Sequence, residues 1–185
     1  MLDRKLVVEP PTTCNLLESF TNESTSEEWS EEGNRLLNLG EFEEATMAFH
    51  NADNVYMAAI GAAYQFREIA HNIPELETRR RREAFVNAAN KLEHCAEMAK
   101  NAEEKSTHYA AAAQCYVEIN YHQDVVRTFK LAKMFTEAAS YCFEHNLLNT
   151  GEPIAKKHEA EVDSQSIDHI NEVARLSYLE SKNLE

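Results

Sequence analysis

Cysteine, histidine, arginine and carboxylate are the side chains in this sequence that could do chemistry, and their spacing decides which chemistry is open. Cys142 and His145 stand three apart, and His94-Cys95 and Cys115 add further sulfur and imidazole. A structural zinc site needs four convergent ligands of these types, usually as two closely spaced pairs. One such pair is present, and Cys95, Cys115 and Cys142 each fall on an apolar stripe. They are expected to be buried thiols acting as small hydrophobes. No Ser or Cys lies in a G-x-S-x-G context that would mark an activated nucleophile. Glu27, Glu28, Glu31 and Glu32 suit the start of a helix, where carboxylates complement the dipole. A phosphate-binding loop needs a glycine followed by Lys and Ser or Thr. Here Gly33, Gly40, Gly61 and Gly151 are followed by Asn, Glu, Ala and Glu. The expectation is a chain with no catalytic residue, no cofactor and no metal.

Arg79, Arg80, Arg81 and Arg82 form the one basic cluster. It could meet an acidic partner or a nucleic-acid backbone. Equally, it could open a solvated helix face and pair with Glu75, Glu77 and Glu83. The overall balance is strongly acidic, with 32 Asp and Glu against 18 Lys and Arg and a formal net charge of −14. Phosphate contacts need a basic footprint, so nucleic acid is an unexpected partner for this segment. No apolar run approaches the roughly 20 residues that cross a bilayer. The opening MLDRKLVVEPP has no apolar core of signal-peptide length. Four separated cysteines fit a reducing compartment, so the expected location is intracellular, nuclear or cytoplasmic, with no membrane partner. The Asn22-Glu23-Ser24 sequon is then without consequence.

Helices must position all of these residues. In TSEEWSEEGNRLLNLGEFEEATMAFHNAD, from Thr25 to Asp53, Trp29 and Gly33 are i and i+4 on a first helix, so ring and gap face one way. Ala45, Phe49 and Ala52 are i, i+4 and i+7 on a second helix that the gap admits. Thr25 to Glu28 reads as a capping box, and Gly40 as the left-handed residue that ends the first helix. Adding 80 to each key position gives Tyr109, Ala113, Val125, Phe129 and Ala132, the same pattern of sizes. An Asn120-Tyr121-His122 turn is expected where Asn38-Leu39-Gly40 lies in the first copy. Between the copies, helices are expected over about 55–72 and 75–101, the second with the stripe Phe85, Ala88, Ala89, Leu92, Cys95, Ala96 and Ala99. After them come 135–145, a turn at Asn149-Thr150-Gly151, a short helix with Pro153 near its first position, and a ninth helix over 166–182. Residues 1–24 read as a linker or the remnant of a preceding domain. Residues 25–158 read as one repeat domain, and 159–185 as the start of a further, incomplete repeat in a longer protein.

The large–small–small–aromatic–small pattern resembles the tetratricopeptide repeat, a helix–turn–helix unit of about 34 residues. The ordered series W-S-E-E-G-N-R-L, F-E-E-A-T-M-A-F, A-A-Y-Q-F-R-E-I-A, R-R-E-A-F-V-N-A-A, Y-A-A-A-A-Q-C-Y-V-E-I-N, L-A-K-M-F-T-E-A-A and V-A-R-L-S-Y-L covers nearly the whole chain. It resembles the tetratricopeptide-like region of the TPR and ankyrin repeat-containing, UvrD-type (superfamily 1) helicase-related proteins of fungi. That resemblance implies an all-α, right-handed superhelical stack of antiparallel helix pairs. It also implies a non-catalytic protein-interaction or scaffold module beside a helicase core. An accessory nucleic-acid-contacting domain and a purely structural brace are the alternatives. Carried over by position, the partner groove would be lined by Glu27, Ser30, Asn34 and Leu37, and by Thr107, Ala110, Gln114 and Val117. Asn34 matches the asparagine of the family's peptide-carboxylate clamp, whereas Ser30 stands where that clamp has lysine. The expected partner is a protein or peptide, or the helicase core of the parent chain.

Overall fold

A computed structural model of the protein describes residues 24–159 together with Val162, Asp168, Glu172 and Arg175. Among the described residues the ordered elements are all helices: α1 (Ser26–Leu39), α2 (Phe42–Asn51), α3 (Val55–Asn72), α4 (Thr78–Met98), α5 (Ala102–Val117), α6 (His122–Leu131), α7 (Phe135–Glu144) and α8 (Leu148–Lys157). The protein is all-α over this range, and no helix there is long and apolar enough to cross a membrane. Most of the ninth helix expected over 166–182 lies outside the described residues, as do nearly all of the 1–24 linker and Cys14. The chain divides into two compact units, Met1–Gly61 and Ala62–Glu185, with the division inside α3.

In the first unit, Thr25 starts α1 with the expected reciprocal cap. Its hydroxyl accepts from the Glu28 amide at 3.3 Å, and the Glu28 carboxylate accepts from the Thr25 amide at 2.7 Å. α1 packs on α2 around Trp29, Leu36, Ala45, Ala48, Phe49 and Ala52, joined by Ala58 of α3. Gly33 makes that approach possible, because a Cβ there would lie 2.7 Å from the Phe49 ring. Gly61 serves in the same way, since its absent Cβ would lie 2.5 Å from the Thr46 hydroxyl oxygen.

In the second unit each helix from α4 to α8 packs on the next in sequence. The expected α4 stripe is buried from Phe85 to Ala96, and α7 buries Ala138, Ala139, Tyr141, Cys142 and Phe143. The copy at an interval of 80 is present in backbone detail. α6 occupies the α2 range plus 80 at both ends. Ser26 Oγ donates to the Ala52 carbonyl at 2.7 Å, and Ser106 Oγ to the Ala132 carbonyl at 2.8 Å. The Asn54 amide reaches the Phe49 carbonyl, and the Met134 amide the Phe129 carbonyl, both at 2.9 Å. These six-residue closures, with a left-handed residue inside each, are Schellman turns.

Three expectations change. The turn register is two residues off, because Asn120 (φ 56°), rather than His122, is the counterpart of Gly40 (φ 84°), and His122 already opens α6. Phe129 is half-buried rather than buried, while Thr128 goes fully inside with its hydroxyl bonded to the Asp124 carbonyl at 2.7 Å. Ala113, fully buried, stands in this copy at the position of Gly33. Last, Asn149, Thr150 and Gly151 are helical, and Pro153 lies inside α8 rather than near its start. Gly151 is a contact residue there, since a Cβ would fall 2.7 Å from the Cys142 Cβ. Pro153 has no N–H to donate to the Asn149 carbonyl, and both residues lie on the exposed side of α8.

The turn after α6 is closed by a left-handed lysine, Lys133, at φ 59°. A side chain in that conformation costs roughly 1–2 kcal/mol, part of which glycine returns through its more flexible unfolded chain. Lys133→Gly is therefore expected to stabilise the second unit by about 0.5–1 kcal/mol, read as a higher urea midpoint by circular dichroism.

Candidate partner-binding surface

The positions assigned to the groove fall in both units. On α1, Glu27 and Asn34 are exposed, Ser30 is half-buried, and Leu37 packs against the first core. On α5, Thr107 is exposed but bonds back to the Glu103 carbonyl at 2.9 Å. Ala110 packs against the cluster of Ala96, Tyr109 and Ala132. Gln114 and Val117 line a hollow of about 270 Å³ with Arg67 and His71 of α3, Cys115 and Glu118. Of the α5 set, Gln114 and Val117 therefore border a small recess, while Leu37 and Ala110 serve packing first.

The arginine run is largely answered by carboxylates. Arg79 pairs with Glu83 at 2.9 Å, Arg80 with Glu77 at 3.0 Å, and Arg81 reaches across to Glu118 on the chain after α5 at 2.8 Å. Glu77 and Glu83 were expected partners, and Glu118 was not. Arg79 and Arg82 also line a hollow of about 720 Å³ with Tyr121 from the α5–α6 turn.

Cys95, Cys115 and Cys142 are buried, and burial pushes each thiol up to about 11. At neutral pH they are protonated and inert as nucleophiles. The candidate metal residues part company: His94 is exposed and faces Glu97 at 3.8 Å, while its neighbour Cys95 is inside. His145 lies against the Tyr141 ring at 4.2 Å, and Tyr141 in turn holds His122 Nδ1 at 2.8 Å. Glu32 also departs from expectation. It is 8% exposed and gripped by Arg35 rather than serving as an open first-turn carboxylate.

A polar network joining α4, α5 and α6 escaped sequence reasoning. Glu93 on α4 accepts from Arg127 of α6 through both oxygens, at 2.7 and 2.8 Å, and from the Tyr116 hydroxyl of α5 at 2.9 Å. Asp124 holds the same guanidinium at 3.1 Å. Burial works against the Glu93 charge, but the Arg127 and Tyr116 hydrogen bonds outweigh it and hold the carboxyl below its usual range. The Tyr116 phenol is pushed above its ordinary range by burial and by donating to Glu93. These residues lie 23 and 34 positions apart, and nothing local in the sequence pairs them. In comparisons with known proteins, the chain matches no family model, no curated protein and no solved structure.

Proposed function

We propose that this chain is a non-catalytic interaction module of TPR-like, antiparallel helix pairs in a right-handed stack, holding an extended or helical protein segment. The observation carrying this reading is the second helix pair at an interval of 80, with the same serine bond and the same turn closures. Repeated pairs of this kind stack because one pair cannot bury its apolar face alone. Glu27, Asn34, Thr107 and Gln114 present polar side chains on the first helix of each pair. The resemblance adds a helicase-related parent, beside whose core the module would act. An accessory nucleic-acid contact through Arg79–Arg82 is less favoured, because Glu83, Glu77 and Glu118 already engage three of the four.

The test is a tagged pull-down from source-cell lysate with the full chain and a Glu27→Arg, Asn34→Arg, Gln114→Arg variant. All three positions are exposed, so equal helicity and unfolding midpoint are expected. Leu37 and Ala110 are left alone because they pack against core. A protein retained by the wild type and lost by the variant is the expected result. The same protein on both would sink the groove and leave the structural brace.

A further inference from the structure

We infer a second binding surface, on the α4–α6 side of the second unit, that takes an acidic peptide carrying an aliphatic side chain. Two hollows flank the start of α6, where the consecutive residues Tyr121, at the end of the turn, and His122, the first of the helix, line one each. The first is the space bounded by Arg79 and Arg82. The second, of about 640 Å³, has Val126, Leu131 and Leu147 as apolar lining and His122, Arg127 and Lys130 as polar lining.

The charge here runs against the rest of the molecule. Four Lys or Arg side chains line the two hollows against a single carboxylate, Glu83. In the whole chain acidic residues outnumber basic ones, 32 to 18. The stretch 122–158 carries five Lys or Arg against four Asp or Glu. Arg127 is committed to Glu93 and Asp124, which fixes its place beside the hollow. Lys130 and Arg82 are exposed and are the cations an incoming carboxylate would meet. Leu131, 46% exposed, supplies the apolar contact.

A cationic, partly apolar surface on an acidic protein selects its ligand twice. Carboxylates are drawn to Arg82 and Lys130, and an aliphatic side chain gains by leaving water against Val126, Leu131 and Leu147. Nucleic acid would meet the same cations, but it has no aliphatic group for the apolar side and is a polyanion facing a −14 chain. The surface shares with the proposed function only the premise of a protein partner, and it uses none of the groove residues.

The experiment measures fluorescence anisotropy of a labelled peptide of alternating Glu, Asp and Leu with the full chain. Two hollow variants, Lys130→Glu with Arg82→Glu and Leu131→Ser, change exposed positions only. Binding is expected to weaken with added salt and to fall about tenfold or more in the charge-reversed variant. It should also fall when the peptide leucines become serine, and stay unchanged in the Glu27→Arg, Asn34→Arg, Gln114→Arg variant. Equal binding by wild type and both hollow variants overturns the inference, as does no binding at all. A single-stranded oligonucleotide that displaces the peptide and binds more tightly overturns the choice of occupant. Loss in the groove variant alone would support the proposed function and overturn this surface.

Discussion

Phe49→Ala is expected to cost about 3–5 kcal/mol of the first unit's stability, the range for deleting a fully buried ring whose surroundings cannot collapse. Phe49 has no exposed surface and sits between Ala45, Ala48 and the gap at Gly33. The sole tryptophan, Trp29, lies in the same cluster. Its fluorescence during urea unfolding therefore reports this unit separately, and a midpoint close to that of wild type would refute the prediction. The partner substitution is Gly33→Ala. Helix propensity alone would make it stabilising by about 1 kcal/mol. The new Cβ, however, would stand 2.7 Å from a ring with nowhere to go, so the sign reverses. In a Phe49→Leu background, where the ring is gone, alanine at 33 should recover much of the loss. This coupling separates a steric fit from a generic core effect.

Glu93→Ala is expected to cost the second unit about 2 kcal/mol, because it leaves the Arg127 guanidinium with Asp124 alone and the Tyr116 hydroxyl with only the longer 3.3 Å bond to Asn90 Oδ1. Arg127 is 44% exposed at its side chain and recovers solvation, which keeps the loss below that of a fully buried pair. This unit has no tryptophan, so its loss is read as the part of the circular dichroism transition that the Trp29 fluorescence does not follow. The pH dependence has a definite sign. The carboxyl is held lower in the folded chain than in the unfolded one, so its contribution is complete above the unfolded value of about 4.3 and disappears as pH falls through the folded value. The stability gap between wild type and Glu93→Gln should thus narrow from pH 5 to pH 3. At the alkaline end Tyr116 acts oppositely: its folded value is raised, so its contribution is complete below about pH 10 and is lost above it. A gap that stays constant across the acid range would show that Glu93 is not the titrating partner.

Much of the all-α architecture was legible because it is written in short intervals. The Thr25–Glu28 cap, the Gly33 gap and the α4 stripe each depend on residues three or four apart, and each is present. The second copy was visible from side-chain size alone, but its turn was misplaced by two residues. Asn120 takes the left-handed conformation through a Schellman turn that glycine had marked in the first copy and no glycine marks in the second. Gly151 and Pro153 misled for a related reason. Both are usual turn residues, yet here the glycine is demanded by the Cys142 and Phe143 side chains and the proline is tolerated at an exposed stretch of helix. The Glu93 network could not be read in advance, since it joins residues of three helices that only packing brings together, and each hollow likewise combines one helix with residues distant in sequence. The arginine run was legible as a cluster, and its answer by Glu77 and Glu83 was anticipated. Its link to Glu118 lies 37 residues away and was not.

The neighbour-to-neighbour packing from α4 to α8 has a consequence for how the protein reaches its native state. Each helix finds its partner across a turn of a few residues, so little loop entropy opposes the first contacts. Topologies of this kind fold fast, on the scale of microseconds to milliseconds, and do not wait for the distant end of the chain. During synthesis α4 and α5 can close on each other while α8 is still being made. An apolar face left open at any moment is then only the next helix's docking site, exposed for the time it takes to translate about a dozen residues.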